Sequence, residues 1–266
     1  MPFSLRTTTR RFTRRAFPRD DSRALLRVVG KGLATAVSAE SSDYVSLRNV
    51  IIDGNRPQLG IAEGALINFG RGVEGRDAEG HLVEWVKAYA PRGWTVIYLG
   101  GPYRGAVARN NEIGPAGRAE CLMADGIYLE CHDAVVENNT IIDVTDGGIV
   151  IFQSPGALVA NNTIRAENRI MFYGISMVDY WPLEGDFTGT RVTGNVINAA
   201  GAMIRYGIAM GPHVGCHPEG EILRSRGAVV TGNTLMGDHM AYGFVVSGVE
   251  DWTVTGNRRS LQAPYP

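Results

Sequence analysis

The chain has 266 residues with 34 Gly, 12 Pro and 44% hydrophobic residues, a combination that excludes both a disordered tail and collagen. Three cysteines, Cys121, Cys131 and Cys216, are too few for a disulfide framework, and none has the spacing of a zinc site. The net charge of -1 hides an asymmetry: residues 1–31 carry nine basic side chains against Asp20 and Asp21, so the remainder is net acidic by eight. A body that acidic argues against a nucleic-acid partner, and no apolar run reaches the roughly 18 residues that a membrane span needs.

Residues 1–20 read as a separate basic leader. Its first 19 residues hold six Arg, several Ser and Thr and no acid, which is the composition of a mitochondrial presequence. A secretory signal needs an apolar run of about 7 to 15 residues. The longest one here is Ala24-Leu25-Leu26, so no export signal is read. The leader is expected either to be disordered or to cover the edge of the first turn, with residues 21–266 forming one domain.

Along that domain a short phrase, apolar-x-x-Asn, keeps returning. Examples are Val136-Glu-Asn-Asn139, Val159-Ala-Asn-Asn162 and Val192-Thr-Gly-Asn195. From Asn111 the Asn positions run through 139, 162, 195, 233 and 257, with spacings of 28, 23, 33, 38 and 24. Leu47-Arg-Asn49 is a shorter form of the phrase. A second phrase sits between these: Asp125-Gly-Ile, Asp146-Gly-Gly-Ile, Tyr173-Gly-Ile, Tyr206-Gly-Ile and Tyr242-Gly-Phe. Residues 82–89 followed by Arg92-Gly-Trp-Thr-Val supply a further turn without the Asn.

Periods in the twenties and thirties, rich in β-branched residues, predict an all-β fold in which a single chain winds as a parallel β-solenoid of roughly eight turns. Helical repeats would need long stretches of 3.6-residue period, and the sequence has none. Stacking turns about 4.8 Å apart sets equivalent residues above one another, so Asn139, Asn162, Asn195 and Asn233 are expected to form a buried amide ladder. The longer periods must bulge as loops over 180–191 and 212–227, forming one wall of a groove.

The phrases DSRALLRVVG, RNVIIDGNRPQLG, APRGWTV, ADGIYLEC, TDGGIVIF and YGIAMGP make the chain resemble a right-handed parallel β-helix protein of the pectate-lyase-like superfamily. More closely, it resembles a fungal group within it. The resemblance runs from about Asp21 to the C-terminus and is specific for fold rather than for reaction. It implies an extracellular, groove-binding protein, although members usually begin with a signal peptide, a cap and further turns that are not seen here.

Aligning the turns on the Gly-Ile phrase gives the column Arg92, Asp125, Asp146, Tyr173, Tyr206, Tyr242. Two carboxylates stacked at roughly 5 Å repel, so one keeps its proton near neutral pH, which is what acid/base catalysis requires. A gap of about that size suits a retaining glycosidase better than an inverting one. Asp-Gly is equally ordinary turn chemistry, and the pair alone does not decide between the two.

Alternation puts Ile127, Leu129, Ile149, Ile151, Ile175, Met177, Ile208 and Met210 inside and leaves a mostly apolar, aromatic outer face. That face is unlike the cationic groove a polyuronate needs. At the far strand ends stand Glu130, His132, Phe152, Gln153, Asp179, Tyr180, Trp181 and His213. Asp179 with His213 is a second candidate catalytic pair, and the remainder, with Arg92, Tyr173 and Tyr206, are candidate substrate contacts. The sequons at Asn138 and Asn161 fall within the expected ladder, where glycans would disrupt packing.

Three functions follow. The first is a hydrolase or lyase acting on a neutral or weakly charged carbohydrate through Asp125 and Asp146. The second is a cyclase or isomerase, of Diels-Alder type, for a small apolar metabolite. The third is a non-catalytic binding β-helix. No cofactor and no metal is called for, and an uncapped end of the coil suggests a homodimer.

Overall fold

A computed structural model describes residues 3–4, 22–40, 42–70, 78–101, 103–118, 123–179, 185–199, 201–212, 214 and 224–260. Three parallel sheets run the length of the coil: sheet A with nine strands, sheet B with nine and sheet C with eight. One turn passes through Val135–Glu137 of sheet C, Thr140–Ile142 of sheet B and Gly147–Ile151 of sheet A. Each strand pairs in parallel with its counterpart one turn away, as Val135 does with Leu158, Thr140 with Thr163 and Ile149 with Ile175. The eight strands of sheet C agree with the repeat count read from the sequence. No helix among the described residues is long and apolar enough to cross a membrane.

The chain turns from sheet C to sheet B through a single left-handed residue. Asn110, Asn138 and Asn161 take this position with φ of 56, 55 and 55°, and Gly194 and Gly232 with φ of 67° on later turns. Asn and Gly are the residues that adopt this conformation at least cost, which accounts for both in the repeat phrase. The next residue is the ladder asparagine. Its Nδ2 donates at 2.9 Å to the Oδ1 one turn on, from Asn111 through Asn139, Asn162, Asn195 and Asn233 to Asn257. Each ladder Oδ1 also accepts a backbone N–H, so the bend leaves its buried polar groups satisfied.

Two expectations need correction here. Asn49 occupies the left-handed position rather than the ladder, with φ 54°. The sequon asparagines Asn138 and Asn161 are likewise exposed bend residues beside the ladder, not rungs of it.

Inside the coil, sheet A supplies two stacked rows: Ile97, Ile127, Ile149, Ile175 and Ile208, and Leu99, Leu129, Ile151, Met177 and Met210, all fully buried. Burying each such side chain stabilises the fold by about 1.5–3 kcal/mol. Gly126, Gly148, Gly174 and Gly207, ahead of the last four isoleucines of the first row, face the same interior, and Val96, ahead of Ile97, is buried as well. A Cβ on Gly148 would meet the Gly174 carbonyl at 2.5 Å and the Ile164 methyl at 2.8 Å. The strand therefore turns two successive residues inward, and the residue before the glycine points out.

At the N-terminus Phe3–Ser4 pairs with Val37–Ser38 at the edge of sheet A. The interiors of the two long loops lie outside the described residues. Beyond them Phe187 is buried against the Trp252 ring at 5.4 Å, and Ser225–Arg226 pairs with Val249–Glu250.

Candidate functional site on the outer face of sheet A

The register of sheet A revises the column read from the sequence. Thr95 pairs with Asp125, Asp125 falls level with Gly147, and Gly147 pairs with Tyr173, followed by Tyr206 and Tyr242. Asp146 therefore stands one residue before the column, because Asp146-Gly147-Gly148-Ile149 carries one glycine more than Asp125-Gly126-Ile127. Arg92 also leaves the column, three residues before Thr95. Its buried guanidinium donates to the carbonyls of Leu33, Gly60, Gly30, Leu59 and Ile61 at 2.6, 2.9, 3.0, 3.0 and 3.3 Å. Those bonds clamp the early B-to-A bends, so Arg92 does not act as a substrate contact beside Asp125.

Asp125 and Asp146 remain neighbours despite the offset. Asp125 is buried, and its Oδ1 accepts the Gly147 backbone N–H at 3.0 Å. Burial first, and the Asp146 charge second, push the Asp125 carboxyl well above the ordinary carboxylate range, while the Gly147 bond opposes them. Burial also raises Asp146, which is half-buried. Its main chain is engaged as well, its carbonyl accepting the N–H groups of Phe172 and Tyr173 at 3.1 and 3.0 Å. Both shifts favour the protonated form, more strongly at Asp125, the more deeply buried of the two. With Oδ1 accepting an N–H, Oδ2 is the oxygen left to carry a proton.

Aromatic rings flank the pair on both sides. On the earlier turns Trp94, Tyr98, Tyr128 and Phe152 form a chain of ring contacts, with centroids 5.0 Å apart for both Trp94–Tyr98 and Tyr98–Tyr128, and 4.8 Å for Tyr128–Phe152. On the later turns Tyr173, Tyr206 and Tyr242 stack at 5.5 and 5.4 Å with small interplanar angles. Phe172 packs edge-on against Tyr173 and Tyr206, and the Arg205 guanidinium lies over the Phe172 ring at 4.9 Å. The Trp94 and Tyr98 contributions were missed in the sequence because they sit off the Gly-Ile phrase. Their signal is aromatic residues on adjacent turns once the register is known.

The outer face is not an open trough along its whole length. Val150, Ser176, Val178 and Ala209 point outward yet are buried, and Val214 packs with Tyr173 and Ala209, accepting the Tyr173 hydroxyl at 3.2 Å. Ser176 Oγ is buried without a hydrogen-bond partner among the described residues, so the covered stretch holds a free donor beside the tyrosine stack.

Of the other expected residues, Glu130 accepts the Tyr128 hydroxyl at 3.3 Å and Phe152 closes the first aromatic chain. His132 sits half-buried at a bridge to Arg104. Gln153 takes a left-handed bend with φ 26°. Asp179 is fully buried at the end of the sheet A strand on its turn. Tyr180, Trp181 and His213 lie outside the described residues, so an Asp179–His213 pair has no geometry to report.

The family model for the right-handed β-helix region matches residues 31–259. No curated protein matches the chain at a significant level. Among solved structures, the chain is similar to the A-module of a mannuronan C-5 epimerase from Azotobacter vinelandii, at 14% identity and a TM-score of 0.34. That alignment covers 87% of this chain and 78% of the other, and no residue role is carried over from it.

Proposed function

Since the chain belongs to the right-handed β-helix family, we propose that it acts on a neutral or weakly charged carbohydrate laid across the outer face of sheet A. The observation that carries this reading is the Asp125–Asp146 pair, one carboxyl buried and the other half-buried, set between two groups of aromatic rings. Aromatic faces stack on the apolar faces of sugar rings, and the pair provides an acid and an ionised partner in one place. In the proposed reaction, protonated Asp125 gives its Oδ2 proton to the glycosidic oxygen as the bond to the anomeric carbon breaks. Asp146, ionised, stabilises the positive charge that develops at that carbon or attacks it directly, and water completes hydrolysis.

A panel of neutral oligosaccharides, incubated with the intact protein and with Asp125→Asn and Asp146→Asn, tests the assignment. Turnover that falls by about 100-fold or more in both variants supports it. Turnover unchanged in both removes the pair from the chemistry.

One observation favours a second reading, a cyclase or isomerase of a small apolar metabolite. The covered stretch around Tyr173, Ala209 and Val214 is apolar, and such a surface lowers a barrier by positioning alone. Product from an apolar polyene in the absence of saccharide turnover would favour this alternative.

A further inference from the structure

On the later turns an exposed cation shares the row of Asp146. The register sets Asp146 level with Phe172, and Phe172 level with Arg205, one turn apart at each step. With turns about 4.8 Å apart, Arg205 stands roughly 10 Å along the coil from Asp146, about the length of a disaccharide. The next residue in the row is Ala241, small and exposed, so the coil beyond Arg205 is not crowded by a large side chain at that level.

Arg205 is held by rings rather than by an acid. Its guanidinium lies over the Phe172 ring at 4.9 Å and the Tyr206 ring at 5.4 Å, and it makes no ion pair among the described residues. A guanidinium held by ring faces keeps its charge and its donors available. Tyr206 and Tyr242, stacked at 5.4 Å, continue the ledge onto the last turn. Neither hydroxyl has a hydrogen-bond partner among the described residues, and Tyr242 is 56% exposed.

The two ends of this stretch ask for different sugar units. A carboxylate on the unit over Asp125 and Asp146 meets like charge, whereas one over Arg205 meets its opposite. Roughly 10 Å is about one Debye length at 0.1 M salt, so each end answers chiefly to the unit lying above it. A chain of uronates alone sets an anion on the pair, and a wholly neutral chain leaves Arg205 without a partner.

We propose that the substrate is a mixed oligosaccharide, neutral at the unit over Asp125 and Asp146 and bearing an acidic substituent about one disaccharide further along the coil, where Arg205 binds it. Guanidinium forks match the geometry of oxyanions, and the faces of Phe172, Tyr206 and Tyr242 give the sugar rings apolar support. The proposal rests on the sheet A reading and narrows it to glycans whose acidic units are isolated among neutral ones.

Binding of the intact protein to immobilised xylo-, manno- and gluco-oligosaccharides tests it, each backbone offered as the neutral chain and with a single uronate unit, with tetragalacturonate as the all-acidic probe. On a backbone that binds, the single-uronate chain is expected to bind about three- to fivefold more tightly than the neutral one, the worth of one exposed ion pair. Tetragalacturonate should bind no more tightly than the neutral chain. Arg205→Gln should bring the ratio of single-uronate to neutral affinity to about one, and Arg205→Glu should invert it. A merely structural effect weakens both chains alike and leaves that ratio where it was. Equal binding of the two chains, a preference that survives Arg205→Gln, or tightest binding of tetragalacturonate overturns the proposal and leaves the sheet A reading standing. Binding of no chain by the folded protein removes both.

Discussion

Replacing Asn162 by Ala removes the middle rung of the amide ladder. Asn162 is fully buried and its side chain makes four hydrogen bonds. Its Oδ1 accepts the backbone N–H and the Nδ2 of Asn139 at 3.0 and 2.9 Å, and its Nδ2 donates to the Val136 carbonyl and to Asn195 Oδ1, both at 2.9 Å. Two of the four partners keep another bond: Asn139 Nδ2 still reaches the Ala108 carbonyl, and Asn195 Oδ1 still accepts the Asn162 backbone N–H. The Asn139 backbone N–H and the Val136 carbonyl lose their ladder partner in the dry interior, at about 1–3 kcal/mol each. With the small void added, Asn162→Ala is expected to cost about 3–5 kcal/mol, a large fraction of the roughly 5–15 kcal/mol that holds a domain together.

Asn257 is the internal control. It accepts from Asn233 in the same way at 3.0 and 2.9 Å, but on the last turn, where it is half-buried. Water can replace its bonds there, so Asn257→Ala should cost about 1 kcal/mol. Urea unfolding followed by far-ultraviolet circular dichroism measures both, and a midpoint shift without a change of slope reports stability alone. A cost for Asn162→Ala within about 0.5 kcal/mol of that for Asn257→Ala would mean that the ladder is not a stabilising element of the coil.

Two further outcomes can be read from the same measurement. Gly148→Ala forces a methyl against the Gly174 carbonyl and Ile164, neither of which can yield without moving a neighbouring turn, and should destabilise by about 2–3 kcal/mol; a neutral effect would disprove the inward-facing glycine. His81 is buried between Phe69 and Tyr103, its Nδ1 accepts the Val45 N–H at 3.1 Å, and burial lowers its pKa from 6.5 to about 4. The unfolded chain then binds a proton that the folded one refuses, so His81 costs stability as pH falls from about 6.5 to about 4, by about 3 kcal/mol in all. His81→Gln should remove that part of the acid sensitivity, and an unchanged pH profile of unfolding would show that His81 is protonated in the fold.

The fold was legible in the sequence because its determinants repeat locally. A one-residue bend needs Asn or Gly, and the rung after it needs an amide, so the phrase recurs on each turn whatever the loops do. The site was less legible, because register decides it. The extra glycine after Asp146 moves the carboxylate off the column without altering the repeat. Arg92 looked like a column member, yet its five acceptors lie 31 to 62 residues away and belong to no motif. Alternation placed the inward isoleucines, leucine and methionines correctly but does not describe the residue before them, where an inward glycine precedes an inward isoleucine.

The central claim, that the Asp125–Asp146 pair holds a proton at neutral pH with Asp125 carrying it, is tested most directly by carboxyl ¹³C chemical shifts followed against pH. Assignments come from Asp125→Asn and Asp146→Asn. Asp125 is predicted to stay protonated through neutral pH, with Asp146 titrating above the usual carboxylate range. Both carboxyls titrating near the ordinary value of about 4 would contradict it.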